Sequence, residues 1–130
     1  MSIVDSDLDR PEVIAEITTI FHAYERALMS NDLDALNGHF WHDERMTRYG
    51  IADRQLGYAE QLAYRAATPA PQFTRVLENL RIHSFGADQA VAQVEFVRSD
   101  TPLRGFQTQT WVRMADGWRI VAAHVSMIPW

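Results

Sequence analysis

The hydrophobic period of the chain changes once, at Thr68-Pro69-Ala70-Pro71. Ahead of that point apolar residues recur every three or four positions. Beyond it they alternate. Side chains share a helix face at the first spacing and a strand face at the second. Two prolines in four residues stop any helix from running through. Helices therefore come first and strands last. That segregation predicts an α+β domain in which helices cover one face of an antiparallel sheet.

The helical half divides into three. Val13, Ile17, Ile20, Phe21, Tyr24 and Leu28 form one apolar stripe and predict a helix over 11–29, with Pro11 in its first turn, where a missing N–H costs nothing. Ser30-Asn31-Asp32 interrupts, and a short helix over 33–37 ends at Gly38. Residues 46–49 predict a short strand turning at Gly50, and a third helix spans 58–67 with Ala59, Leu62, Ala63 and Ala66 as its stripe. Four long strands follow, over 73–85, 89–98, 106–114 and 118–127. Asp116-Gly117 reads as a hairpin turn. Long strands must bend to wrap three helices, and the bend predicts a cone-shaped sheet with a cavity at one end. Residues 1–10 are acidic and carry no apolar run, so they are expected to be disordered or loosely attached, with 11–130 forming one domain.

Composition removes several kinds of function. There is no cysteine, which excludes disulfides, thiolate metal sites and cysteine nucleophiles. A net charge of -5 without a basic stripe argues against nucleic acid, while leaving room for a locally positive pocket. No apolar stretch is long enough to span a membrane, so the expected location is the cytoplasm. His39 and His42 have a metal-compatible spacing but no evident third ligand, and neither a metal nor a cofactor is expected.

Several polar residues fall where a cavity would form. Tyr24 lies on the apolar stripe of the first helix. It is either a core tyrosine bonded to backbone or a proton donor inside the cavity. Arg48 is either an inward-facing fork for a carboxylate or a partner of Asp43 or Glu44 at the surface. Gln107, Gln109 and Trp111 share a strand face with Arg113, which suits the wall of a polar pocket or an exposed or dimer-forming face. On the last strand, strict alternation puts His124 and Ser126 on one face with Trp118, Ile120 and Ala122. His124 is then a buried histidine, held in the core or donating into the pocket. Whether Arg45, Arg65 or Arg104 also line the pocket is left open by the sequence.

Five segments together resemble one family. They are Phe21-His22-Ala23-Tyr24-Glu25 with Asn31-Asp32; Phe40-Trp41; Arg48-Tyr49-Gly50; Gln107 to Arg113; and Gly117 to Ser126. From about residue 12 onward the chain is similar to AtzH-like proteins, which include the oxalurate catabolism protein HpxZ. These form part of the SnoaL-like branch of the nuclear-transport-factor-two superfamily. The resemblance implies a cone-shaped homodimer, paired through the outer face of the sheet. It implies an enzyme that decarboxylates or hydrolyses an N-carboxylated urea, 1,3-dicarboxyurea to allophanate, or a related ureido acid. Tyr24 and Arg48 carry over as the catalytic pair, with Gln107, Gln109, Trp111, His124 and Ser126 around a small anionic substrate. The alternative is a non-catalytic binding protein, or an accessory subunit of an amidase-family partner. Arg104-Gly105-Phe106-Gln107 departs locally from the Gly-Arg-Gln pattern expected there.

Overall fold

The computed structural model describes residues 2–130. Helix α1 (Pro11–Ser30) starts on Pro11 and ends where Asn31 turns left-handed at φ 55°. Helix α2 (Leu33–Gly38) begins at Asp32, whose carboxylate accepts the Ala35 N–H at 3.2 Å. Strands β1 (Thr47–Tyr49) and β2 (Arg54–Leu56) precede α3 (Tyr58–Ala67). Strands β3 (Arg75–Ser84), β4 (Gln89–Arg98), β5 (Arg104–Met114) and β6 (Gly117–Ile128) complete one sheet of order β2-β1-β6-β5-β4-β3. The sequence reading held no counterpart of β2, a three-residue strand paired with β1.

Antiparallel pairing is the rule, with one exception. β1 lies parallel to β6, so the short strand joins the sheet by a crossover through most of the chain rather than by a hairpin. Two bulges bend the sheet. In β3, Asn79 at φ 54° is part of a register shift between Glu78 and Arg81. In β6, Thr110 faces Ala122 but Trp111 faces Ile120, so Val121 is the extra residue. An extra residue switches every later side chain to the other face. Trp118 and Ile120 therefore point inward, and beyond the bulge the inward residue is Val125, while His124 lies exposed on the outer face. The expectation that His124 is buried and lines the pocket with Ser126 is corrected here. It assumed unbroken alternation, and the bulge breaks it.

The core lies between α1 and the inner face of the sheet. Val13, Ile17, Phe21, Tyr24 and Ala27 from α1 meet Ala90, Ala92, Val94, Trp111 and Ile120. The buried face of α3 is not the alanine and leucine stripe that the sequence suggested. Gln61 and Arg65 turn inward and Leu62 is exposed. The N-terminal segment is also better attached than expected. The Asp9 N–H donates to the Ser84 carbonyl at 3.0 Å, the Ser84 N–H donates to the Asp9 carboxylate at 3.0 Å, and Leu8 bridges to Phe85. These bonds cover one end of β3, which is an edge strand and carries unpaired backbone groups.

Gly105 faces Phe96 across β4 and β5, and the fully buried Phe96 ring occupies the space a Cβ would need. The same ring carries the Arg75 guanidinium at 3.9 Å from its centroid. Gly105→Ala must displace the ring. It is expected to cost about 1–3 kcal/mol, read as a lower Tm in thermal unfolding. An unchanged Tm would show that the Phe96 ring moves freely.

Candidate anion-binding active site

Arg48 is the second residue of β1. Alternation points it inward with Met46, while Thr47 and Tyr49 face out. Its Nη1 donates to Gln55 Oε1 at 2.8 Å and to Asp53 Oδ1 at 3.0 Å, and Gln55 Nε2 donates to the same Asp53 oxygen at 2.9 Å. Strand β2 thus supplies Gln55 as a buried support for Arg48. Gly50 has a steric role here, because a Cβ at that position would fall on the Asp53 carboxylate. Asp53 is pulled below the usual carboxylate range although partial burial, the largest single influence, pushes it up. Hydrogen bonding from Gln55 and the charge of Arg48 lead the opposing influences.

Arg48 opens on a cavity of about 110 Å³ that Tyr24 also lines. Three further arginines reach the same cavity: Arg65 from α3, Arg75 from β3 and Arg98 from β4. Arg75 Nε sits 2.9 Å from Glu25 Oε2, with its N–H out of line for a hydrogen bond, and Arg75 Nη2 donates to Gln107 Oε1 at 2.8 Å. Gln107 Nε2 remains buried without a partner among the described residues. Arg98 makes a two-pronged pair with Asp100 at 2.9 and 2.6 Å and lies over the Phe73 ring. Burial is the main cause that pushes Arg65 and Arg75 below the ordinary arginine range, and it pushes Glu25 above the ordinary carboxylate range against the pull of Arg75. The apolar part of the wall is Leu28, Ile51 and Val125. Every one of the 12 basic residues of the chain is an arginine, and four converge here although the net charge is -5.

Of the residues singled out from sequence, Tyr24, Arg48 and Gln107 come together at this cavity, and Arg65 joins them. Gln109 and Trp111 are buried but do not line it. Trp111 Nε1 donates to Gln109 Oε1 at 3.1 Å, and the indole packs edge-on to His39, so the pair belongs to the core. His124 packs edge-on to Tyr49 on the outer face, in a shallow cavity that also includes Thr108 and Ala122. Ser126 lies on that side too, facing Phe106 in the register. Exposed Arg45 pairs with half-buried Asp43, and Arg104 pairs with Glu95 and Glu78 away from the cavity. His39 and His42 part company: the first packs against Tyr24 and Trp111, the second stacks on Tyr58.

The AtzH-like sequence profile matches residues 6–129, nearly the whole chain. The chain belongs to the AtzH-like family. This AtzH-like chain is 43% identical to a DUF3225-family protein of unknown function from Pectobacterium atrosepticum, whose crystal structure it matches with a TM-score of 0.95 over 98% of its own length and 99% of the other's. It is 42% identical to a cystatin-like fold protein from Burkholderia xenovorans, with a TM-score of 0.92 over 95% and 97% of the two chains. An NTF2-like protein of unknown function from Pseudomonas putida shares the fold at 16% identity, with a TM-score of 0.74 over 90% and 87%. No functionally curated protein matches. The AtzH-like domain is thus a nuclear-transport-factor-two-type fold, three helices on a curved, mostly antiparallel six-stranded sheet. No helix among the described residues is long and apolar enough to cross a membrane.

Three polar residues of the cavity wall escaped the sequence reading: Tyr64, Arg75 and Arg98. Arg98 is in phase with Ala92, Val94 and Phe96, and Arg75 with Leu77, so the strand period carried both signals. His39, which supports the Tyr24 ring at 5.9 Å between centroids, generates a pH prediction. Burial lowers its pKa from the ordinary 6.5, and Arg119 acts in the same direction. Below about pH 6.5 the unfolded chain takes up a proton that folded His39 refuses. Stability should therefore fall as pH drops from 6.5 toward the folded pKa. His39→Phe is expected to lose less Tm than the parent between about pH 7 and pH 5.5. Equal losses would contradict the assignment.

Proposed function

We propose that this protein is a small-molecule catabolic enzyme that removes carbon dioxide from an N-carboxylated urea, converting 1,3-dicarboxyurea to allophanate or acting on a related ureido acid. The observation that carries the reading is the cavity itself. It is small, about 110 Å³, and ringed by Arg48, Arg65, Arg75 and Arg98, with Tyr24 in its wall. That set suits a compact ligand with more than one negative charge.

The chemistry assigns different parts of the wall to different ends of the substrate. Decarboxylation breaks the C–N bond. The bonding electrons pass to nitrogen, the carboxylate leaves as neutral carbon dioxide, and nitrogen takes a proton. Tyr24 donates that proton and recovers it from water. The departing carboxylate loses its charge in the transition state, so a guanidinium clamped on it would favour the ground state and slow the step. The arginines therefore serve best on the carboxylate that stays, and the apolar Leu28, Ile51 and Val125 side suits the group that leaves. In this account Arg48, fixed by Asp53 and Gln55, sets the field around the substrate. The substrate is a small anion, the enzyme works as a homodimer through the outer sheet face near His124, and it acts in the cytoplasm.

Tyr24→Phe removes one oxygen from a packed ring and is expected to leave the fold intact. Release of carbon dioxide from 1,3-dicarboxyurea should fall about 10²- to 10⁴-fold. Parental turnover in the variant would end the role of Tyr24. A parent that binds small carboxylates but releases no carbon dioxide would instead identify a binding protein or an amidase accessory subunit.

A further inference from the structure

We infer that Arg65 is the receptor for the ligand's carboxylate, and that the ligand supplies the counterion this arginine lacks. The four guanidinium groups at the cavity differ in how far the protein already answers them. Arg48 spends Nη1 on Asp53 and Gln55. Arg75 has Glu25, Gln107 and the face of Phe96. Arg98 holds Asp100 in both prongs and rests on Phe73. Arg65 alone among them has no carboxylate within ion-pair distance among the described residues, and its Nε is buried with no acceptor. Among the described residues it lies over the π-face of Tyr64, 5.3 Å away, Arg48 lies 5.2 Å from the centroid of that same ring, and Asp53 acts on Arg65 only from beyond ion-pair distance.

Arg65 is 8% exposed. A buried cation without a counterion is among the most costly arrangements a fold can hold, and a like charge on the same ring adds to the cost. An arginine cannot escape by losing its proton near neutral pH. An anion entering the cavity would relieve both costs at once, and the guanidinium fork matches a carboxylate in two parallel hydrogen bonds. Arg65 and Arg98 also border a second, larger cavity of about 280 Å³ lined by Thr68 to Gln72, so Arg65 stands at the wall of both cavities.

The inference depends on the proposed function only for the class of ligand, a small carboxylate, and its test measures binding without turnover. Thermal unfolding of the parent, Arg65→Met and Arg65→Lys is followed with malonate, with neutral malonamide as control, at matched ionic strength. Malonate should raise the parent Tm and malonamide should not. Arg65→Met should match or exceed the parent Tm without ligand, because it removes an unanswered buried charge at similar volume. It should bind malonate about tenfold more weakly or worse. Arg65→Lys should keep part of the response. A parental malonate response undiminished in Arg65→Met overturns the inference alone, as does a ligand-free Tm of Arg65→Met well below the parent's. A parent indifferent to malonate overturns both the inference and the small-anion reading.

Discussion

Four guanidinium groups share a cavity of about 110 Å³, and the way their charge is answered governs much of the surrounding fold. Each arginine comes from a different element, so α3, β1, β3 and β4 must all converge before the cluster exists. Like charges at this density repel strongly in a partly dry interior. Glu25, Asp53 and Asp100 offset three of them, and each carboxylate is placed by its own local device. Glu25 follows Tyr24 on α1. Asp53 folds in over Gly50, where no side chain obstructs it. Asp100 follows β4 by two residues and meets Arg98 as a fork. Arg65 is left without a carboxylate partner among the described residues, in a chain whose net charge is negative.

Support for the cluster extends outward through packing. Phe96 fits against Gly105 on one strand pair and carries Arg75 on its face, so a glycine in β5 fixes the height of an arginine from β3. Tyr24 is held by His39 and Phe40, edge-on to both. The β6 bulge at Val121 then divides the sheet into two uses. Beyond the bulge, Val125 closes the cavity wall on the inner face, while His124 and its neighbours form an outer surface.

Much of this was legible in the sequence, and the failures have physical causes. The single change of period at Pro71 placed the helices and the long strands, because burial on one face imposes period 3.6 or 2 directly. Tyr24 and Arg48 were visible because each interrupts an apolar set with a polar residue. β2 was not visible, being three residues long and polar at two of them. Nor was the true face of α3, where Gln61 and Arg65 are buried and Leu62 is not, since a helix that lines a polar site inverts the usual rule. His124 and Ser126 were assigned to the wrong face because a bulge leaves no mark in the alternation that precedes it. Gln109 and Trp111 had the right face and the wrong depth. Direction follows from period, but distance along a curved sheet does not.

In the proposed reaction the protein holds a small carboxylate between Arg65 and Tyr24. A crystal structure of the protein grown with malonate tests it most directly. One malonate is expected in the inner cavity, with a carboxylate within hydrogen-bond reach of the Arg65 guanidinium and the Tyr24 hydroxyl facing the ligand. Malonate seated on the outer face beside His124, or an inner cavity in which Arg65 turns away from the bound carboxylate, would contradict it.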